Sequence, residues 1–302
     1  MDQFEILRQR LARDCPALEV RVGEPMSRHT SFHIGGPAAL VALPKTREEA
    51  QAALAAAGAL GIEPFFLGNG SNLLVPDGGA ERFFIKTAGL NWCRWGEGWM
   101  EAGAGLTLAR LAVCARDQGL TGLEFAHGIP GSVGGAVTMN AGAYGGEMAQ
   151  VLEQVTVLEP GGAARTIPAS ECGLGYRKSA FSDGHALIVE ARFRLASGDP
   201  AAIQGRMEEL ARQRQAKQPL EYPSAGSMFK RPPGHFAGAL IDQCGLRGLT
   251  VGGAQVSEKH AGFVINRGGA TCADVLSLVE QVRERVLRQT GVELEMEVRV
   301  VR

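Results

Sequence analysis

Six cysteines are scattered through 302 residues, and no two of them form a C-x-x-C pair. That spacing offers no zinc knuckle and no redox motif, so no metal is expected; dispersed thiols of this kind read as small core residues of a reducing compartment. A net excess of charge of either sign is also missing. The net charge of −1 excludes a general attraction to nucleic acid or to an anionic membrane. No apolar run approaches the ~20 residues needed to span a bilayer. The opening MDQFEILRQRLARD reads as an amphipathic helix without the apolar block of a signal peptide, so the cytoplasm is the expected compartment. A dinucleotide fingerprint is absent too. From Gly68 the G-x-G-x-x-G pattern meets Leu73 where its third glycine belongs, and Gly103-Ala104-Gly105 leads into a helix but also lacks that glycine. A Rossmann domain is therefore not expected.

What the chain has in excess is glycine, 41 residues of it. Seven fall in the nineteen residues Gly128–Gly146, GIPGSVGGAVTMNAGAYGG. So much glycine gives up packing and backbone entropy, a cost tolerated where φ must be positive or a ligand must approach the main chain. Ile129, Val133, Val137 and Met139 recur too regularly for a flexible linker. Gly131-Ser132-Val133-Gly134-Gly135 is expected to turn its N–H groups inward as an anion-holding nest. A second glycine turn, Gly68-Asn69-Gly70-Ser71-Asn72, has the same chemistry. Two such turns point to one long ligand carrying phosphates.

The remaining pattern is mixed. Thr46 and Glu49 have capping-box spacing at the head of a helix, and helices are also expected over Thr107–Gln118, Asp199–Lys217, His235–Cys244 and Thr271–Thr290. Ala39–Leu43, Ile62–Leu67, Val151–Leu158 and Leu187–Leu195 read as strands. Pro219–Pro233 is too rich in Pro and Gly for regular structure, and VSEKHAGFVINRGG reads as a loop. Val292–Val301 alternates apolar residues with Glu293, Glu295, Glu297 and Arg299, the signature of a half-buried strand. Short strands, glycine turns and single helices in alternation predict an α+β fold.

Thr30-Ser31-Phe32, Gly68–Asn72, Gly128–Gly146, Tyr176-Arg177, Gly226-Ser227 and Glu297-Val298-Arg299 stand in the order found in the UDP-N-acetylenolpyruvoylglucosamine reductase family, also called UDP-N-acetylmuramate dehydrogenases, which the chain resembles from about Pro25 to its C-terminus. Any one motif is weak; six in order are highly specific. The resemblance implies an FAD-binding domain of the vanillyl-alcohol-oxidase kind, over 1–200, followed by a smaller α+β substrate domain over 201–302. It implies non-covalent FAD, since the first glycine turn carries no histidine, and NADPH as co-substrate. The implied reaction reduces the enolpyruvyl ether of UDP-N-acetylglucosamine to UDP-N-acetylmuramate for peptidoglycan synthesis and so for cell shape and division. A monomer is expected, with a UDP-sugar as its small-molecule partner.

Residue by residue, the resemblance assigns the cofactor to Thr30, Ser31, Leu67, Gly68, Asn69, Gly70, Ser71 and Asn72. It adds Gly128, Pro130, Gly131, Ser132, Gly134 and Gly135, then Asn140, Gly142, Ala143, Tyr144 and Gly145 against the flavin. Ser227 is the implied proton donor, with Lys230 and Arg231 near it in sequence. Arg177 is suited to grip a carboxylate with its planar fork. Glu297 is the implied partner of the developing enolate, although by pattern alone it is one of three glutamates on a solvated face. Tyr176, Lys217, Tyr222, Arg231, His235, Lys259 and His260 are candidates for the carboxylate and diphosphate of the substrate. Two departures stand out. Only Tyr222 lies between Arg177 and Ser227, which matches the branch without an extra tyrosine-bearing loop. The family's frequent Asn-Pro is here Arg231-Pro232. Two rivals stay open: an FAD oxidase of the same fold acting on a small alcohol or hydroxy acid, and a nucleotide-binding module with a decayed site.

Overall fold

Polar residues placed at helix starts fix much of the secondary structure. In the computed structural model, which describes residues 2–301, seven α-helices occur among the described residues. They are α1 (Gln3–Asp14), α2 (Arg47–Gly58), α3 (Leu108–Asp117), α4 (Val133–Thr138), α5 (Pro200–Lys217), α6 (Ala237–Gln243) and α7 (Cys272–Thr290). Thr46, Thr107 and Thr271 cap α2, α3 and α7 by accepting the Glu49, Arg110 and Asp274 amides at 3.2, 3.3 and 3.0 Å. α7 stops at Gly291, whose φ of 71° is the left-handed stop that glycine adopts without penalty.

The chain forms two compact units, each assembled from three segments. The first comprises Met1–Val22, Ala39–Asn69 and Arg82–Gln213; the second comprises Gly23–Ala38, Gly70–Glu81 and Arg214–Arg302. In the first unit α1 packs on α2 over a core of Leu7, Leu11, Ala50, Leu54, Phe83 and Ile85. There Phe65–Leu67 runs parallel to the end of Ala80–Lys86. Its larger sheet is antiparallel, in the order Ala164–Pro168, Leu152–Leu158, Leu187–Arg194, Trp99–Gly103 and Cys93–Gly96. Ile188, Ala191 and Phe193 of Leu187–Arg194 face a core that also receives Leu108, Leu111 and Ala115 of α3 and Val133 and Val137 of α4, while Leu187 and Val189 join the α1–α2 core.

In the second unit Ser224–Ser227, Phe263–Asn266, Ala254–Val256 and Thr250–Val251 form an antiparallel sheet. α6 and α7 pack together, with Val275, Leu278, Val279, Val282 and Val286 of α7 fully buried alongside Phe32, Ile34 and Leu74. Asp77 also reaches the start of α7, its carboxylate accepting the Cys272 and Ala273 amides at 2.8 and 3.2 Å.

The mixture of helix and strand is the expected α+β fold. Three local expectations change. Pro219–Pro233 and VSEKHAGFVINRGG, read as irregular, contain the paired strands Ser224–Ser227 and Phe263–Asn266; four-residue strands between glycines give too short an apolar signal to register. Val292–Val301 keeps its alternating burial, but only Arg299–Val300 is strand, paired in parallel with Leu73–Leu74, while Met296 forms an isolated bridge to Phe229. The Gly128–Gly146 stretch, read as a glycine turn holding an anion nest, encloses the short helix α4.

Candidate active site

In the first unit Leu67 is buried at the end of its strand, and Gly68 follows it against the head of α4. A Cβ on Gly68 would lie 2.4 Å from Ser132 Oγ, and the Gly135 amide nitrogen is 4.0 Å from the same point. A side chain there would displace the Ser132 hydroxyl. Ser132 is 1 % exposed, yet its hydroxyl has no hydrogen-bond partner in the protein. A buried polar atom left unsatisfied is costly and calls for an explanation; a ligand atom is one. The expected nest over Gly131–Gly135 is largely replaced by other bonds. The Gly131, Val133 and Gly134 amides donate to the Ile129, Leu106 and Ala104 carbonyls at 2.8, 2.9 and 2.9 Å. What points at Gly68 is a hydroxyl at a helix start, since Leu106 and Ala104 have taken the Val133 and Gly134 amides. Asn69, Gly128 and Gly131 are half-buried beside this cradle in sequence, Gly134 is buried and Pro130 is exposed.

After α4 the chain turns sharply. Asn140 has a φ of 40° and is 4 % exposed; its Oδ1 accepts the Ala149 amide at 2.9 Å and its Nδ2 donates to the Gly175 carbonyl at 3.2 Å. Gly142-Ala143 pairs with Gly146-Glu147, leaving Tyr144-Gly145 as a two-residue hairpin tip with φ of 53° and 85°. Positive φ at both tip residues is the type I′ geometry, ordinarily given to Asn-Gly. Here a tyrosine occupies the strained position and its ring is exposed.

The Gly175–Lys178 segment is a second tight turn, closed by Gly175 N to Lys178 O at 3.0 Å and Lys178 N to Gly175 O at 3.2 Å. Arg177 sits at its third position with a φ of 56°, a conformation that L-residues with large side chains rarely adopt. Tyr176 is exposed, and the Arg177 guanidinium lies 5.8 Å from its ring centre. Asn140, Tyr144 and Arg177 are three of the four non-glycine residues with positive φ among those described, and backbone strain of this kind clusters at functional sites.

The second unit carries a closed circuit of bonds around the other half of the first glycine turn. Gly70 has a φ of 63°, and a Cβ there would meet the His29 carbonyl at 2.1 Å. Its carbonyl accepts the Ser31 amide at 3.2 Å, and Ser31 Oγ donates to the Ser224 carbonyl at 2.7 Å, at the start of the strand that ends in Ser227. Thr30 Oγ1 donates to the Ile34 carbonyl at 2.9 Å. Next to Ser227, the Met228 carbonyl accepts the Glu297 amide at 2.9 Å. The Glu297 carbonyl accepts Asn72 Nδ2 at 3.1 Å, and the Asn72 carbonyl accepts the Arg299 amide at 3.0 Å. Ser227, Glu297 and Asn72 are thereby brought onto adjoining backbone, with half-buried Ser71 between Gly70 and Asn72. Glu297 is half-buried, whereas the Glu293 and Glu295 side chains are 76 % and 72 % exposed. The structure separates three glutamates that the sequence pattern could not.

The candidate substrate cations scatter. Arg231 stacks on exposed Phe236 at 3.8 Å and its Nε donates to the His235 carbonyl at 3.4 Å. Tyr222 pairs with Arg267, a residue the sequence reading passed over, through its hydroxyl and a ring stack at 4.6 Å. Lys230 pairs with Glu295. Lys259 Nζ donates to the Gln215 carbonyl at 2.6 Å, and Lys217 and His235 are exposed. His260 packs edge-on against Phe263 at 5.0 Å and its Nδ1 accepts the Gly262 amide at 3.1 Å; burial holds its pKa below the ordinary 6.5. Among the described residues no cluster of three or more potential ligands is suited to hold a metal, and no helix is long and apolar enough to cross a membrane.

The chain is similar to known proteins along its length. Residues 38–167 match the family model of an FAD binding domain, and residues 218–301 match that of the UDP-N-acetylenolpyruvoylglucosamine reductase C-terminal domain. A UDP-N-acetylenolpyruvoylglucosamine reductase of Geobacillus kaustophilus is 46% identical over 302 residues, 100% of this chain and 99% of its own. One of Clostridium botulinum is 47% identical over 282 residues, covering 93% and 92%. Among solved structures, UDP-N-acetylenolpyruvylglucosamine reductase from Thermus caldophilus superposes with a TM-score of 0.79 at 39% identity, covering 94% of this chain and 99% of that one.

Proposed function

The chain belongs to the UDP-N-acetylenolpyruvoylglucosamine reductase family, and from that premise we propose that it uses NADPH and FAD to reduce the enolpyruvyl ether of UDP-N-acetylglucosamine to UDP-N-acetylmuramate for peptidoglycan synthesis. The observation that supports the reading most is the circuit that seats Glu297 between Asn72 and Met228, one residue from Ser227.

The cradle suits a cofactor with a pyrophosphate. Ser132 contributes a buried hydroxyl that the protein itself leaves unsatisfied, at the N-terminus of a helix, and Gly68 leaves the space beside it. Gly128–Gly135 and Gly68–Asn72 are thus the residues we assign to the FAD diphosphate, with Gly142–Gly145 assigned to the flavin. When bound, FAD supplies the passage of a hydride from the nicotinamide to one carbon of the enolpyruvyl double bond. The residues of the chain then have two tasks. One is to deliver a proton to the neighbouring carbon, which we assign to the Ser227 hydroxyl. The other is to meet the charge that gathers on the substrate carboxylate, which we assign to the Arg177 guanidinium and to a hydrogen bond donated by the carboxylic acid form of Glu297 beside Ser227. Arg177 is always charged and bidentate, so it stabilises the enolate-like state, with its added negative charge, more than the singly charged carboxylate of the reactant. Tyr176, Lys217, Tyr222, Arg231, His235, Lys259 and His260 remain the candidates for the rest of the UDP-sugar. We keep 1–200 as the FAD-binding part and 201–302 as the substrate-binding part of this reading.

The test is the visible spectrum under anaerobic NADPH, before and after the enolpyruvyl UDP-sugar is added. Flavin bands that bleach with NADPH and return with the sugar carry the reading. Bands that return only with air would favour an oxidase, and a protein that takes up no FAD would end it. In Ser227→Ala bleaching should persist while return with the sugar nearly stops.

A further inference from the structure

We propose that Asn140 is a positioning residue whose amide staples the Tyr176–Arg177 turn to the Gly128–Gly146 stretch and so holds Arg177 in its strained conformation. The inference rests on the role assigned to Arg177 above. Asn140 was read from sequence as a residue lying against the flavin, but its amide is committed at both ends within the protein. Oδ1 takes the Ala149 amide, fixing the hairpin that carries Tyr144, and Nδ2 holds the Gly175 carbonyl, the first residue of the Arg177 turn. At 4 % exposure the side chain is a buried strut.

The turn is held from its other side by the same stretch. Thr138, two residues before Asn140, accepts Ser179 Oγ at 2.8 Å and Ser182 Oγ at 3.3 Å through its carbonyl. The Ala180 amide donates to the Cys172 carbonyl at 2.8 Å, and Phe181 is buried. These anchors are what a left-handed arginine requires. Glycine or asparagine is the usual residue at the third position of a turn that needs positive φ, and an arginine placed there persists only where its surroundings over-determine it. Without the Gly175 anchor the Gly175–Lys178 turn is free to relax to a conformation in which Arg177 has negative φ and its guanidinium leaves its place. Asn140 itself has a φ of 40°, so glycine is the replacement that removes the staple without adding backbone strain.

The experiment compares Asn140→Gly with the wild type and with Ser179→Ala, all loaded with FAD. Hydrogen exchange at the Gly175 and Lys178 amides is expected to rise about tenfold in Asn140→Gly, the size set by one lost buried hydrogen bond, with a similar rise in Ser179→Ala. FAD content and the rate of bleaching by NADPH should stay within about twofold, while return of the bands with the enolpyruvyl UDP-sugar slows about tenfold. Adding Asn140→Gly to Arg177→Ala should slow that return no further, because the strut has nothing left to hold. Unchanged exchange in the turn overturns the proposal. So does a loss of FAD or of bleaching as large as the loss of return, which would give Asn140 to the cofactor. If the wild type itself shows no return with the sugar, the functional reading fails, and the exchange data still decide the staple.

Discussion

Arginine 177 separates a stability effect from a functional one, because the backbone and the guanidinium can be removed independently. A left-handed L-residue costs about 1–2 kcal/mol, and glycine escapes that cost at an entropic penalty of roughly 0.5–1 kcal/mol on folding. Arg177→Ala and Arg177→Gly both delete the guanidinium and its stack on Tyr176 at 5.8 Å, so those losses cancel between them. What differs is the φ of 56°, which alanine keeps strained and glycine relieves. The glycine variant is therefore expected to be more stable than the alanine variant by about 1 kcal/mol, or roughly 2–4 °C in Tm. In turnover the two should fall together. A bidentate charge-assisted contact is worth about 1.5–3 kcal/mol, so kcat/KM for the UDP-sugar should drop at least about tenfold in both. Differential scanning calorimetry on the FAD-loaded proteins and steady-state NADPH oxidation supply the two numbers. An alanine variant as stable as the glycine one refutes the strain argument. A glycine variant with intact turnover refutes the role of the side chain.

The cradle makes a second prediction. Ser132→Ala removes a hydroxyl without breaking a protein hydrogen bond, so the apoprotein should keep or slightly gain stability while FAD affinity falls about tenfold in a fluorescence titration. Gly68→Ala should lose more affinity, since its Cβ would lie 2.4 Å from Ser132 Oγ; combining it with Ser132→Ala restores stability because the next contact is an ordinary 3.6 Å. Affinity unchanged in Ser132→Ala would detach the cradle from the cofactor. His260 sets a pH signature. Its native pKa is held below 6.5 by burial, so the unfolded chain binds the proton first, and the contribution present above pH 6.5 is lost as pH falls toward the native value. Denaturant midpoints of His260→Gln should fall less steeply over that window than those of the wild type; parallel slopes would count against it.

What the sequence made legible was local or repetitive. Thr46, three residues ahead of Glu49, announced α2, the helices expected over Thr107–Gln118 and Thr271–Thr290 are α3 and α7, and the runs Leu152–Leu158 and Leu187–Arg194 are the central strands their apolar residues suggested. The glycine turns marked where main chain lies too close for a Cβ, as at Gly68 and Gly70. The rest depended on contacts across long sequence separation. Nothing near Glu297 distinguishes it from Glu293 and Glu295; its half-buried position comes from Asn72, 225 residues away, and from Met228. The spent amides of Val133 and Gly134 follow from carbonyls at Leu106 and Ala104, so a nest drawn from glycine content alone gave them the wrong partner. Positive φ at Arg177 is invisible in a residue type that almost never adopts it.

The segmented make-up of the second unit has a consequence for how the protein is made. Phe32, Ile34 and Leu74 leave the ribosome early, yet the apolar surface of α7 that buries them is synthesised about 200 residues later, or at least about ten seconds later at ordinary elongation rates. Until then those side chains are exposed on the nascent chain, as is the Asp77 carboxylate that will cap α7. Arg299 and Val300, made later than α7, pair with Leu73 and Leu74. Folding of this unit must therefore wait for α7, and a chain cut short before α7 presents an unfilled core to its neighbours in the cell.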